Sequence, residues 1–304
     1  MDHPLHMPRP GCWSCILDIS LGALDRTIED ESTKFDLIKE ITGILSSELD
    51  VNSNLPEVST NIFRLISSRT GVPDPFKAEK MECNRVSLPI AGRLSRDILN
   101  MRDPLERLRA GVLAAIAGNT MDLGTSGHTF QLSSFEEEYN QITETGLAID
   151  DTGDLMDILK RSKTVLYLAD NAGEIAFDKI LVEIIQETGP SVTVAVKGGP
   201  VSNDATMEDS DFVGMGEIAE VITTGTDHLG VSFKESSDDF LRRFDSTDLV
   251  LSKGQSNLET LSYHRDRLRR PVAYVLKAKC PPIARALGCN LGDNVLRVVT
   301  SRPR

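Results

Sequence analysis

Thr164-Val165-Leu166-Tyr167-Leu168-Ala169-Asp170-Asn171-Ala172-Gly173-Glu174 is the stretch that decides the fold. Its first six residues are apolar, aromatic or β-branched, which suits a buried strand. Asp170 ends that run, and a helix follows from Ile175 to Ile185. On it Phe177, Ile180, Leu181, Ile184 and Ile185 share one face, and Gly189 ends it. The alternation repeats downstream. Val192 to Val196, Ala219 to Thr223, Asp248 to Leu251 and Val272 to Leu276 read as strands with helical segments between them. Val295 to Val299 reads as a last edge strand. Strands that alternate with helices require right-handed crossovers and a mainly parallel sheet, so the fold class is α/β.

Upstream the pattern changes. The clearest helix starts at Asp103-Pro104-Leu105-Glu106, with Asp as N-cap, Pro at the first helical position and Glu placed to complete a capping box. Leu105, Leu108, Val112, Leu113 and Ile116 then fall on one face, and Gly118-Asn119 is the stop. Phe35 to Leu49 and Asn61 to Ser68 are amphipathic, and Pro73-Asp74-Pro75 breaks the helical pattern. The expected division is a mainly helical domain over residues 1–150 and an α/β core over residues 151–304.

Composition narrows the function. Hydrophobic residues make up 40% and charged residues 26%, as in ordinary folded proteins. A net charge of −13 argues against the clustered Lys and Arg that track a nucleic-acid backbone. It leaves room for an anionic substrate, because a bound divalent cation and a few basic groups reverse the field inside one cleft. No run of about 18 apolar residues is present, so no membrane span is expected. The opening MDHPLHMPRPGC lacks the basic start and apolar run of a secretory leader, and five cysteines make no disulfide framework. Both point to a reducing, cytoplasmic location.

In open α/β sheets ligands collect beyond the carboxyl ends of the strands. Four such ends here carry polar clusters: Asp170-Asn171-Ala172-Gly173-Glu174; Lys197-Gly198-Gly199-Pro200 with Ser202-Asn203-Asp204; Lys253-Gly254-Gln255-Ser256-Asn257; and Lys277-Ala278-Lys279-Cys280. Each alone is an ordinary helix cap or turn. Together they point to one site. Asp170, Asn171 and Asp204 offer the hard oxygens that Mg²⁺ or Mn²⁺ takes. Lys253 and Lys277 offer positive charge to phosphate oxygens, and Gly254 allows close backbone approach. Glu174 is placed to orient the substrate or assist proton transfer. Such a set fits metal-assisted phosphoryl hydrolysis. No P-loop and no G-x-G-x-x-G follows the first strand, which weakens nucleoside-triphosphatase and dinucleotide readings. A non-catalytic phosphometabolite binder and an S-adenosylmethionine-dependent methyltransferase stand as alternatives.

Asp-Asn-Ala-Gly-Glu at 170–174, Lys-Gly-Gly-Pro-Val-Ser-Asn-Asp at 197–204, Lys-Gly-Gln-Ser-Asn at 253–257 and Leu-Lys-Ala-Lys-Cys at 276–280 resemble, in order and spacing, the damage-control phosphatases. The Cys-x-x-Cys start is similar to their prokaryotic branch. The resemblance implies a Rossmann-like three-layer core carrying a helical domain. It also implies hydrolysis of sugar phosphates or damaged phosphometabolites with Mn²⁺, Mg²⁺, Co²⁺ or Ni²⁺. Asp170, Asn171 and Asp204 would hold the metal, with catalysis shared by Glu174. Glu174, Lys253, Gly254, Gln255, Ser256, Asn257 and Lys277 would contact a small phosphorylated substrate. Ser256 departs from the family's usual second glycine. Lys277 alone remains of the Arg-Thr-x-Lys signature of the eukaryotic branch.

Cys12 and Cys15 leave two readings level: two of four ligands to a second, structural metal, with Cys83 and His3 or His6, or buried thiols opening a helix. A redox dithiol stands behind both, since no strand precedes Cys12. His128 lies past a helix end marked by Asn119 and Asp122; that end could approach the cleft from the helical domain, but a capped turn with a solvated His is the favoured reading.

Overall fold

The computed structural model describes residues 8–119 and 132–300. The chain opens with α1 (Pro10–Asp25), α2 (Glu31–Glu48), α3 (Leu55–Thr70), the long α4 (Lys77–Leu99), α5 (Pro104–Gly118) and α6 (Leu132–Thr145). Next come β1 (Ile149–Asp150), α7 (Thr152–Leu159), β2 (Thr164–Leu168), α8 (Glu174–Glu187), β3 (Ser191–Val196), α9 (Met207–Val213) and β4 (Glu220–Thr223). The remainder is α10 (Asp238–Ser246), β5 (Leu249–Lys253), α11 (Gln255–Tyr263), β6 (Val272–Lys277), α12 (Pro281–Leu287) and β7 (Asn294–Val299). No described helix is long and apolar enough to cross a membrane.

The strands form one sheet in the order β1-β7-β6-β5-β2-β3-β4, parallel throughout from β6 to β4. Val295 to Val299 is not an edge. β7 lies antiparallel to β6 and parallel to β1, and β1 closes the sheet. A two-residue strand is too short to show alternation, so β1 leaves no mark in the sequence.

β2 explains its own unbroken apolar run. Val165 and Tyr167 face the layer of α4, α5, α7 and α8, while Leu166 and Leu168 face α10, α11 and α12. With both faces covered, every position past Thr164 must be apolar. The helices of the first half feed two cores. α1, α2 and α3 gather round Ile16, Leu24, Ile41, Leu45 and Ile62, whereas α4, α5 and α6 join the sheet.

α5 is placed by small residues. A Cβ on Gly111 would lie 2.6 Å from Ile184 Cδ1, and one on Gly118 would lie 2.8 Å from Phe177 Cδ2, so α5 sits directly on α8. Asp103 caps α5, accepting from the amides of Leu105 (2.8 Å) and Glu106 (3.1 Å). The reciprocal half of the capping box does not form, because the Glu106 carboxylate pairs with Arg109 one turn on.

From β2 the chain runs to β3 and β4 on one side, then returns to build β5 and β6 on the other. β2 and β5 therefore flank the topological switch point, where a crevice opens beyond the strand ends. The register pairs Leu168 with Ser252, which brings Asp170 beside Gly254.

Candidate functional site

Two loops form the floor of that crevice, and backbone hydrogen bonds lock them together. Ala172 N donates to Asn203 O (2.9 Å) and Ala205 N to Asp170 O (2.8 Å), so Asn171 and Asp204 face each other in a short antiparallel bridge. Lys197 N donates to Ala205 O (2.9 Å), tying the second loop back to the end of β3. Ser202 lies at φ 46°, a left-handed conformation that is rare outside glycine and gathers at functional sites.

From behind, α4 fixes both loops. Asn84 Oδ1 accepts from Gly173 N (2.6 Å), and Asn84 Nδ2 donates to Asp209 (2.8 Å). Buried Lys80 pairs with Asp74 (3.0 Å) and Asp209 (3.4 Å). Gly173 is held at φ 77°, with Cys83 so close that a Cβ would approach it to 2.8 Å.

Asp170 is 8% exposed and Asp204 4% exposed. Asp170 Oδ2 accepts from Asn119 Nδ2 (2.9 Å) and Asn171 Nδ2 (3.0 Å), and the same two amides reach Glu174 Oε2. Burial, then Glu174 and Asp204, push the Asp170 carboxyl well above the ordinary carboxylate range. Burial also raises Asp204, against the opposing pull of Lys197, whose Nζ lies 3.3 Å away. At Gly254 (φ 74°) a Cβ would fall 1.9 Å from Asp170 Oδ2; only glycine fits there.

Beneath this floor lies a second polar group. Lys253 Nζ donates to Ala115 O (2.9 Å), to Asp178 (2.8 Å) and to Glu174 Oε1, and Tyr167 Oη donates to Asp178 (2.6 Å). Burial works against the charge of Lys253, but Asp178 and Glu174 outweigh it and hold its pKa above the usual value. Burial lifts Asp178 to about 6 despite Lys253.

Above the floor opens a cavity of about 700 Å³. Asn119, Asp170, Asn171, Asp204 and Lys279 line its base, and Gln255 and Ser256 bring in the first turn of α11. Lys279 Nζ donates to Asn119 O (2.6 Å), and its backbone amide donates to Gln255 Oε1 (3.1 Å).

A family model described as the damage-control phosphatase ARMT1-like domain matches residues 9–295. The chain belongs to this family. Damage-control phosphatases of Archaeoglobus fulgidus and Pyrococcus horikoshii are each 32% identical to it, over 291 and 277 residues. The first alignment covers 95% of this chain and 98% of the relative, the second 91% and 92%. An uncharacterized protein of Methanocaldococcus jannaschii is 37% identical over 95% of this chain and 94% of its own length. The crystal structure of a DUF89 family protein from Pyrococcus horikoshii matches with a TM-score of 0.85 at 31% identity, over 95% of this chain and 98% of that one. These relatives support a phosphatase role in general.

Within this member of the family, Asp170, Asn171, Glu174 and Asp204 come together on one floor, with Gly254, Gln255 and Ser256 against it. Asn257 lies just behind, its Nδ2 donating to Ala169 O (3.2 Å) and Lys253 O (2.9 Å). Lys253 is fully buried below the floor and Lys277 turns to Glu138 at 3.5 Å, so neither side chain lines the cavity. Lys279, Asn119 and Lys197 complete the site; the sequence placed Lys197 and Lys279 in the strand-end clusters without a role and marked Asn119 only as part of a helix end near the cleft. Asn119 had a signal: the helix stop at Gly118-Asn119 marks where α5 ends, over Asp170. Cys12 and Cys15 line the cavity on α1, whereas Cys83 packs behind Gly173. Among the described residues no group of three or more His, Cys, Asp or Glu side chains is arranged to hold an ion. His3, His6, Asp122 and His128 lie outside the described residues.

Proposed function

We propose that this chain is a metal-dependent phosphomonoester hydrolase of small phosphorylated metabolites. The observation that carries this reading is the set of Asp170, Asn171 and Asp204 brought together on a buried floor at the switch point of the sheet, opening onto a ligand-sized cavity. A divalent cation suits that floor. Its carboxylates repel one another, and the amides of Asn119 and Asn171 orient them without cancelling their charge. Asp170, Asn171 and Asp204 would hold Mn²⁺, Mg²⁺, Co²⁺ or Ni²⁺, since oxygen-rich sites accept several metals. When bound, the ion would supply Lewis-acid charge against the phosphate oxygens.

The remaining work falls to the chain itself. Lys253 anchors Glu174 through Oε1 and leaves Oε2 turned toward Asp170, where it orients the substrate or takes a proton. Lys279 and the free amides at the start of α11 meet the other phosphate oxygens. Free cysteines suit a reducing compartment, and the proposed location is the cytoplasm.

Asp170→Asn and Asp204→Asn should each cut phosphate release by about 100- to 1,000-fold while circular dichroism stays unchanged. Metal analysis of the purified protein, coupled to phosphate release from a substrate panel, is the deciding assay. Full activity after exhaustive chelation would remove the metal from the mechanism. No release from any substrate with any of the four metals would leave a binding protein.

A further inference from the structure

We propose that the alcohol half of the substrate is an apolar chain or ring rather than a polyhydroxylated sugar. The inference rests on the proposed hydrolase activity for the place of the phosphate, which sits on the Asp170 floor. The cavity of about 700 Å³ falls in the upper part of the roughly 300–1,000 Å³ typical of small-molecule sites, so it holds far more than a phosphoryl group. Its described walls are made by Ile16 and Ile19 of α1, Ile62 and Phe63 of α3, Leu229, and Pro281 of α12. Ile19 is 38% exposed, an apolar side chain left open on the wall of a site rather than packed in a core.

A sugar places a hydroxyl on nearly every carbon, and each hydroxyl buried without a partner carries a desolvation cost. The walls offer few partners. Ser20 Oγ is committed to Ile16 O at 2.7 Å, Arg9 and Arg285 are exposed, and Ser59 adds a single hydroxyl. Burial also disfavours the charged forms of two wall groups outside the exposed arginines. Burial pushes the Glu259 carboxyl up to about 8 and the Cys280 thiol up to about 11. An apolar body loses nothing against such walls and gains with each methylene it buries.

The test uses n-alkyl monophosphates from propyl to octyl, below their micelle concentrations, beside glucose 6-phosphate and fructose 1-phosphate. The metal-loaded full-length protein should show kcat/KM rising about two- to fourfold per methylene until the cavity is filled, and exceeding both sugar phosphates. Ile19→Asn, a polar change at an open position, should cut the octyl-to-propyl ratio at least about fivefold. A series flat with length, or sugar phosphates turned over faster than octyl phosphate, overturns the inference. Non-hydrolysable alkylphosphonates of the same lengths, titrated by calorimetry, separate the two readings. If affinity climbs with length but nothing is hydrolysed, the hydrolase reading fails and this one stands. If phosphate is released and neither series responds to length, this one alone fails.

Discussion

Below the strand ends and above them, the molecule handles buried ionisable groups in opposite ways. Below, between the sheet and the α5–α8 layer, Glu174 and Asp178 meet the ammonium of Lys253, and charge is balanced by charge. Above, on the cavity wall, Glu259 and Cys280 are driven toward their neutral forms by burial. The contrast keeps buried charge below the strand ends, the charged side chains of the wall, Arg9 and Arg285, being exposed. The loops of the sheet then carry the chemistry, while the helices of the first half and α12 shape what fits over it.

The lower region breaks most severely at Lys253. Lys253→Met strands two carboxylates in a dry site and should cost about 3–5 kcal/mol in chemical denaturation. Adding Asp178→Asn to that variant should recover part of the loss; a single-variant cost under about 1 kcal/mol would mean the pairing below the floor is unimportant. Lys279 tests the boundary between the regions. Lys279→Ala should lower kcat/KM by about 100-fold, as losing one preorganised donor does, with stability moved by no more than about 0.5 kcal/mol. A large stability loss would place Lys279 with Lys253 instead.

The smallest effect lies on the wall. Between pH 4.5 and about 8 the folded state holds the Glu259 proton more firmly than the unfolded chain does, so this residue makes stability fall as pH rises through that window. Glu259→Gln should match the parent protein near pH 4.5 and exceed it near pH 8 by the order of 1–2 kcal/mol, partial exposure keeping the gain below the full shift. Parallel stability curves would show that Glu259 ionises freely.

The strands were legible because β2, β5 and β6 are covered on both faces and must be apolar along their length. Their polar ends were legible for the same reason: the apolar run stops where the helices stop covering it. The direction of each strand-end side chain was harder to read. Lys253 follows Leu251 by two residues and Lys277 follows Val275 by two, and both apolar residues face the α5–α8 layer. Period-two alternation sends the lysines the same way, under the helices and away from the cavity. Lys279 lies beyond the end of β6, where that alternation no longer holds, and it reaches the base of the cavity. Asn84 was invisible for another reason. It acts on Gly173 from 89 residues away, and no local pattern marks such a contact.

The ion group under the floor also bears on how the chain is made. Glu174 and Asp178 precede Lys253 by 79 and 75 residues, so α8 leaves the ribosome with two acids and without their cation. Seating α8 on β2 at that stage would bury both acids unpaired, which is costly. The layer settles only when β5, the middle strand of the sheet, slides in beside β2 and delivers its lysine. A growing polypeptide therefore carries no finished floor until its centre is filled, and a chain released early is born without a site.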